Sequence, residues 1–176
     1  MLHEATTSTL ILVDLQQRLM PAIFEGERVI REAVRLARIA RILEIPIIGT
    51  EQSPEGIGEN VGEVKQLCDQ TLGKHHFDGC VDGLVEAIPA SRKHAIVAGC
   101  EAHVCVLQTC VGLLQKGLRV TVVIDAIGSR ATSNRDAAIA RLESAGATLA
   151  TVEMVAFEWM RTSRHPRFKE VLALIR

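Results

Sequence analysis

The chain has 176 residues, 48% of them apolar, and a formal net charge of −1. Those figures suit one domain spanning residues 1–176 and exclude a disordered chain. No long basic run points to nucleic acid, no apolar stretch is long enough to cross a bilayer, and the first residues lack the basic start and apolar centre of a signal peptide, so the default expectation is a cytoplasmic chain acting on a small molecule.

Residues 9–13 form a short apolar run that predicts a buried strand. An amphipathic helix follows over 28–43, with Ile30, Val34 and Ala37 repeating on one face. The second strand is read at 45–50, with Pro46 at its start, where a missing N–H is tolerated. Residues 51–60 are rich in Gly, Pro and Glu and read as a loop, and 62–70 as a short helix. Residues 73–78 have no clear period. A helix over 81–88 is expected next, with Asp78 available as its N-cap. Residues 95–98 predict another strand, 103–116 a helix closed by Gly117, and 119–124 a Val-rich strand. Asn134 can cap a helix that Gly146 ends. Residues 148–152 read as the last strand and 167–175 as the last helix.

Strands and helices alternate, and the strands are continuously apolar. That pattern predicts an α/β fold with a mainly parallel sheet covered by helices on both faces. Ligands in such sheets bind beyond the carboxyl ends of the strands. The rule brings Asp14, which ends the first strand, to the same edge as Glu51 and Gln52 after the second and Cys105 after the strand at 95–98.

Cys105 lies in the first turn of its predicted helix. Unpaired N–H groups and the positive end of the helix dipole favour a thiolate there. A thiol with a pKa near about 8.5 still needs a base or a neighbouring cation to act at neutral pH. Asp14 is a candidate base, with a capping or ion-pairing carboxylate as the alternative. Lys74, read by itself, is a solvated lysine; beside Cys105 and Asp14 its cation would favour both anions. The other free cysteines, Cys68, Cys80, Cys100 and Cys110, read as small buried apolar residues, because the count is odd and export is not indicated. Cys100, His103 and Cys105 have a short metal-like spacing but no second ligand pair, so no metal is assigned. His75 and His76 read as a surface pair, unless one lines the site beside Lys74. Ser129-Arg130 can hold an anion or make a structural ion pair. Phe157 and Trp159 are read as core or subunit interface.

Taken together, the motifs resemble the isochorismatase-like cysteine hydrolases, which include nicotinamidases, N-carbamoylsarcosine amidohydrolase and isochorismatase. The resemblance is carried by Val13-Asp14-Leu15-Gln16, by Lys74 three residues before Phe77, by Gly99-Cys-Glu-Ala-His-Val-Cys105-Val106, and more weakly by Val123-Ile-Asp125-Ala126 with Ser129-Arg130. It runs through nearly the whole chain in order. It implies a three-layer α-β-α architecture with about six strands and a catalytic trio of Asp14, Lys74 and Cys105. In that pattern Asp14 deprotonates the thiol, Cys105 attacks a carbonyl carbon, and Lys74 stabilises charge. Backbone N–H groups of Cys105 and Glu101 would hold the oxyanion, beside a cis peptide bond at Cys100–Glu101. Gln16, Glu51, Phe77 and His103 are the implied substrate-binding residues, and a homo-oligomer is implied as well.

The chain also departs from the pattern of the family it resembles. The Asp-x-His metal motif of nicotinamidases is replaced by Thr50-Glu51-Gln52-Ser53-Pro54, so no metal or other cofactor is expected. The Thr three residues before the nucleophile is Ala102. The stretch from Glu51 to Gly58 looks like the isochorismatase-domain branch of unsettled substrate. Isochorismate hydrolysis cleaves a vinyl ether and needs no thiol, so Cys105 points instead to a small amide or similar C–N bond. The competing readings are a vinyl ether hydrolase and a catalytically silent module for binding or assembly; thiol redox chemistry is disfavoured because no Cys-x-x-Cys is present.

Overall fold

The computed structural model describes residues 2–176. Six strands form one sheet: β1 (Ser8–Val13), β2 (Ile47–Gln52), β3 (Gln70–Lys74), β4 (His94–Cys100), β5 (Arg119–Gly128) and β6 (Thr148–Ala150). Their spatial order is β3-β2-β1-β4-β5-β6, and every pairing is parallel. The helices are α1 (Gly26–Ile42), the single turns α2 (Pro54–Ile57), α3 (Gly62–Lys65) and α4 (Leu84–Ala87), then α5 (Leu107–Gln115), α6 (Thr132–Ser144), α7 (Val152–Met160) and α8 (Phe168–Ile175).

Side chains alternate between the sheet faces with period two, and both faces are buried. Leu10, Leu12, Ile47, Ile96 and Ala98 pack under α1, α7 and α8. Ile11, Val13, Ile48, Val97 and Val122 pack under α5 and α6. This is the expected three-layer α-β-α architecture. The chain winds outward from β1 in one direction to β2 and β3 and in the other to β4, β5 and β6. The reversal leaves a crevice at the carboxyl ends of β1 and β4.

Gly99 makes that crevice possible. It pairs with Val13 across the β1–β4 seam and has φ 123. A Cβ there would overlap the Val13 backbone. Only glycine lets the two strand ends approach so closely.

Several local expectations are corrected. The helix read over 62–70 is the single turn α3, and β3 follows it as an edge strand. Edge strands are short and half-solvated, so β3 carries no apolar alternation to read. The segment read as a helix over 81–88 is a 3-10 turn, Gly79–Asp82, then α4, broken by Gly83 in a left-handed conformation. Asp78 does cap the first turn, accepting from the Cys80 N–H. Asn134 does not cap α6, whose N-cap is Ala131; its amide points instead to His103. β5 extends past residue 124 to Gly128, with a bulge against β4 between Val97 and Gly99. Val152 starts α7 instead of ending a strand, with Asp125 accepting its N–H. Trp159 is buried, donating to Ser8 Oγ, while Phe157 is 40% exposed.

Candidate active site

Asp14 leaves β1 with φ 48, an uncommon left-handed conformation for a residue with a side chain. Its carboxylate lies across the strand ends. Thr50 of β2 donates to Oδ1 at 2.6 Å, and Lys74 Nζ lies 2.8 Å from Oδ2. Asp14 is fully buried and Lys74 is 1% exposed. The loop-like signal around Lys74 hides a strand terminus: Lys74 is the last residue of β3, in register with Gln52 of β2. Both point to the face that also carries Val13 and Thr50.

Lys74 makes two hydrogen bonds, to Gln52 Oε1 at 2.6 Å and to the His76 carbonyl at 3.3 Å, beside its ion pair with Asp14. Cys105 completes the group. Its Sγ lies 3.8 Å from Gln52 Oε1 and interacts with both Asp14 and Lys74. The structure therefore brings Asp14, Lys74 and Cys105 into one buried cluster at the β1–β4 crevice.

The expected helix start around Cys105 takes a different form. Residues Ala102–Val106 form a π-helical turn, and α5 begins only at Leu107. The thiol is buried, and burial pushes it up to about 12; the Asp14 carboxylate pushes in the same direction, while Lys74 opposes. The expected stabilisation of a thiolate by the helix start is thus outweighed in the resting chain. Burial also raises other free cysteines, Cys68 to about 11 and Cys80 to about 12.

The peptide bond Cys100–Glu101 is cis. The Glu101 side chain turns away from the thiol and grips Arg130. The guanidinium makes three hydrogen bonds to the two carboxylate oxygens, and the Arg130 N–H adds a fourth at 2.9 Å. Burial would raise the Glu101 carboxyl, but these bonds outweigh it and hold the group below the usual range. Arg130 is accordingly a structural ion-pair partner, one of the two alternatives left by the sequence.

The implied substrate-binding residues divide. His103, two residues before Cys105, holds its ring between Ser129 Oγ at 3.0 Å and the Asn134 amide at 3.3 Å. Gln16 is fully buried and spends its amide on backbone groups: Oε1 accepts from the Gln52 N–H, while Nε2 donates to the Gln52 and Gly58 carbonyls. It shapes the loop after β2 and leaves no free polar atom for a ligand. Glu51 points to the opposite face of the sheet from Cys105, where it accepts from the Asn60 N–H and lies 3.8 Å from Lys65. Its neighbour Gln52 faces the site instead, since adjacent strand residues face opposite ways. Period-two alternation was the signal that separates them. Phe77 is half-exposed, and its contact with α5 is through its carbonyl, which accepts from Thr109. It does not form an enclosed wall around the trio.

Among the described residues no group of three or more His, Cys, Asp or Glu side chains could hold a metal. The donors at the place of the nicotinamidase metal motif do not fit one, because Glu51 faces away and Gln52 Oε1 is on Lys74. Surface depressions elsewhere, such as one lined by Arg31, Arg35 and Leu174, do not touch Cys105. Chemistry, not concavity, marks this site.

Comparisons with known proteins bear on the family and the fold. Residues 8–154 match the isochorismatase domain. Isochorismatase domain-containing protein 2A of Mus musculus is 36% identical over 172 residues, covering 97% of this chain and 83% of the mouse protein. Isochorismatase domain-containing protein 2 of Danio rerio is 36% identical over 96% of this chain and 86% of its own length. Among solved structures, MAR1 ribonuclease from Caenorhabditis elegans superposes with a TM-score of 0.94 at 38% identity, covering 99% of this chain and 92% of that one. YcaC from Pseudomonas aeruginosa, solved with hexane-2,5-diol and covalent acrylamide, gives 0.91 at 28% identity over 98% and 91%. YcaC from Escherichia coli, described as an octameric hydrolase of unknown specificity, gives 0.88 at 25% identity over 98% and 95%. The fold, the ordered motifs and these relatives lead to one conclusion: the chain belongs to the isochorismatase domain family.

Proposed function

We propose that the protein is a cysteine hydrolase that cleaves a small amide or similar C–N bond through a thioester on Cys105. The observation that carries this reading is the convergence, from three distant parts of the chain, of a thiol, a carboxylate and an ammonium in one buried cluster. Because the resting thiol is protonated, Cys105 does not wait as a thiolate. Asp14 takes the S–H proton as Sγ bonds to the carbonyl carbon. Backbone N–H groups of Cys105 and Glu101 receive the oxyanion. Collapse breaks the C–N bond, and the proton held by Asp14 goes to the leaving amine. Water then attacks the thioester, releasing the acid and restoring the thiol. Lys74, held by Asp14, Gln52 and the His76 carbonyl, acts as a fixed positive charge, not a proton donor.

Phosphodiester cleavage, suggested by the name of the C. elegans neighbour, fits less well. Lys74 is buried and held by Asp14, Gln52 and the His76 carbonyl, and Arg130 is paired with Glu101, so the nearby cations are already engaged with anions or carbonyls. The octameric E. coli relative supports a homo-oligomer for this chain as well.

The test is ammonia release from a panel of small amides and ureas, with intact-mass detection of an acyl adduct. Wild type is expected to turn over at least one compound, and Cys105→Ala none. Turnover that survives Cys105→Ala would sink the reading.

A further inference from the structure

Asp82, the last residue of the 3-10 turn Gly79–Asp82, lies outside the trio yet is connected to it. Its Oδ2 accepts from the backbone N–H of His75 at 3.0 Å and of His76 at 2.9 Å. Its Oδ1 lies 3.0 Å from His76 Nδ1. In a trans peptide unit the C=O and N–H point in opposite directions. Fixing the His76 N–H outward on Asp82 therefore turns the His75 carbonyl inward, where Gln52 Nε2 donates to it at 2.7 Å. The Gln52 amide repeats the geometry, and its Oε1 receives Lys74 Nζ at 2.6 Å.

The result is a continuous path: Asp82 carboxylate, peptide 75–76, Gln52 amide, Lys74 ammonium. An anion stands at one end and a cation at the other. Each amide presents its N–H towards the anion and its oxygen towards the cation, so every link is polarised in the same sense and strengthens the next. The His76 carbonyl, on the following peptide, also accepts from Lys74. The other charged groups nearby face elsewhere or belong to the site. The His75 ring turns to Ser53 and Glu55, and Lys74 itself faces Asp14 and Cys105.

We propose that Asp82 is a positioning residue for the Cys105 site: acting through the 75–76 peptide and Gln52, it fixes the Lys74 ammonium and so sets how strongly that cation favours the Cys105 anion. This rests on the proposed role of Lys74 beside Cys105.

The test is the pH dependence of Cys105 alkylation by iodoacetamide, followed by peptide mass and needing no substrate. Asp82→Ala is expected to slow alkylation about three- to tenfold at a given pH, which corresponds to a profile displaced upward by about half to one pH unit. Asp82→Asn, which keeps one acceptor, falls between wild type and Asp82→Ala. Glu55→Ala, which disturbs only the His75 ring, leaves the profile in place. An unchanged profile in Asp82→Ala, alongside a displaced one in Lys74→Met, overturns the Asp82 proposal alone. Equal displacement in Asp82→Ala and Glu55→Ala also overturns it, as general loosening of the loop. If Lys74→Met matches wild type, the role of Lys74 itself fails and the proposal falls with it. Should Lys74→Met not fold, Asp14→Asn/Lys74→Met provides the reference, measured against Asp14→Asn.

Discussion

Burying Asp14 and Lys74 removes two charges from water, and their mutual attraction together with the Thr50, Gln52 and His76 hydrogen bonds offsets that cost. Removing one partner leaves an uncompensated charge. Asp14→Ala and Lys74→Ala are each expected to lower stability by about 3–5 kcal/mol, and the double variant by much less than their sum. Chemical denaturation of the four proteins checks this, and additive losses would contradict the pairing. Gln52 bears on turnover more than on folding. Gln52→Ala removes a hydrogen bond to a charged donor, a loss of about 1.5–3 kcal/mol where that bond positions the reaction. The expected outcome is a kcat lowered at least tenfold with little change in KM, read from steady-state kinetics on any substrate found. Glu51→Gln, on the other sheet face, should leave kcat within about twofold, since it removes charge far from the transition state.

The strand ends decide where these residues meet. Gly99→Ala forces a Cβ into the Val13 backbone and a strained φ, so a destabilisation of more than about 2 kcal/mol is expected, measured by the denaturation midpoint. The amino ends of the same strands hold a different cluster. His3 and His94 stack at 5.1 Å, and both Nε2 atoms meet the Thr121 hydroxyl. Burial, aided by the His3 charge, lowers His94 to about 4, and burial lowers His3 as well despite Glu158. Between about pH 6.5 and 4 the unfolded chain binds a proton at His94 that the folded chain refuses. Stability is therefore full above pH 6.5 and falls as the pH drops towards 4, by at most roughly 3 kcal/mol for His94. Thermal melts across that window should show the slope, and His94→Gln should flatten it. Helices with strong periodicity, α1 above all, were legible in the sequence. β3 was not, because an edge strand half in solvent carries no apolar pattern. The π-helical turn at Ala102–Val106 was not either, because its hydrogen-bond register depends on how β4 ends and not on residue type.

As a whole, the molecule leaves several large apolar side chains in solvent. Phe24 (52%) and Phe77 (50%) are on loops, and Met154 and Phe157 are on α7. Contiguous exposed apolar surface marks association sites, and Met154 and Phe157 lie three residues apart on α7. The expected state is a homo-oligomer, and light scattering should return a multiple of the chain mass; a monomer at micromolar concentration would contradict it. The sequence by itself determined the layered α/β class and five of the six strands, and its resemblance to a known family supplied the candidate trio and the place of the cis bond, because apolar period and ordered motifs are local properties of the chain. Only the tertiary structure decided that Gln52 faces the thiol while Glu51 turns away, that Gln16 is consumed by the loop, that burial pushes the Cys105 thiol up, and that hydrogen bonds link Asp82 to Lys74 through the 75–76 peptide and Gln52. Each of those depends on which strand face meets which neighbour and on how much water remains there, and neither is written in any single stretch of sequence.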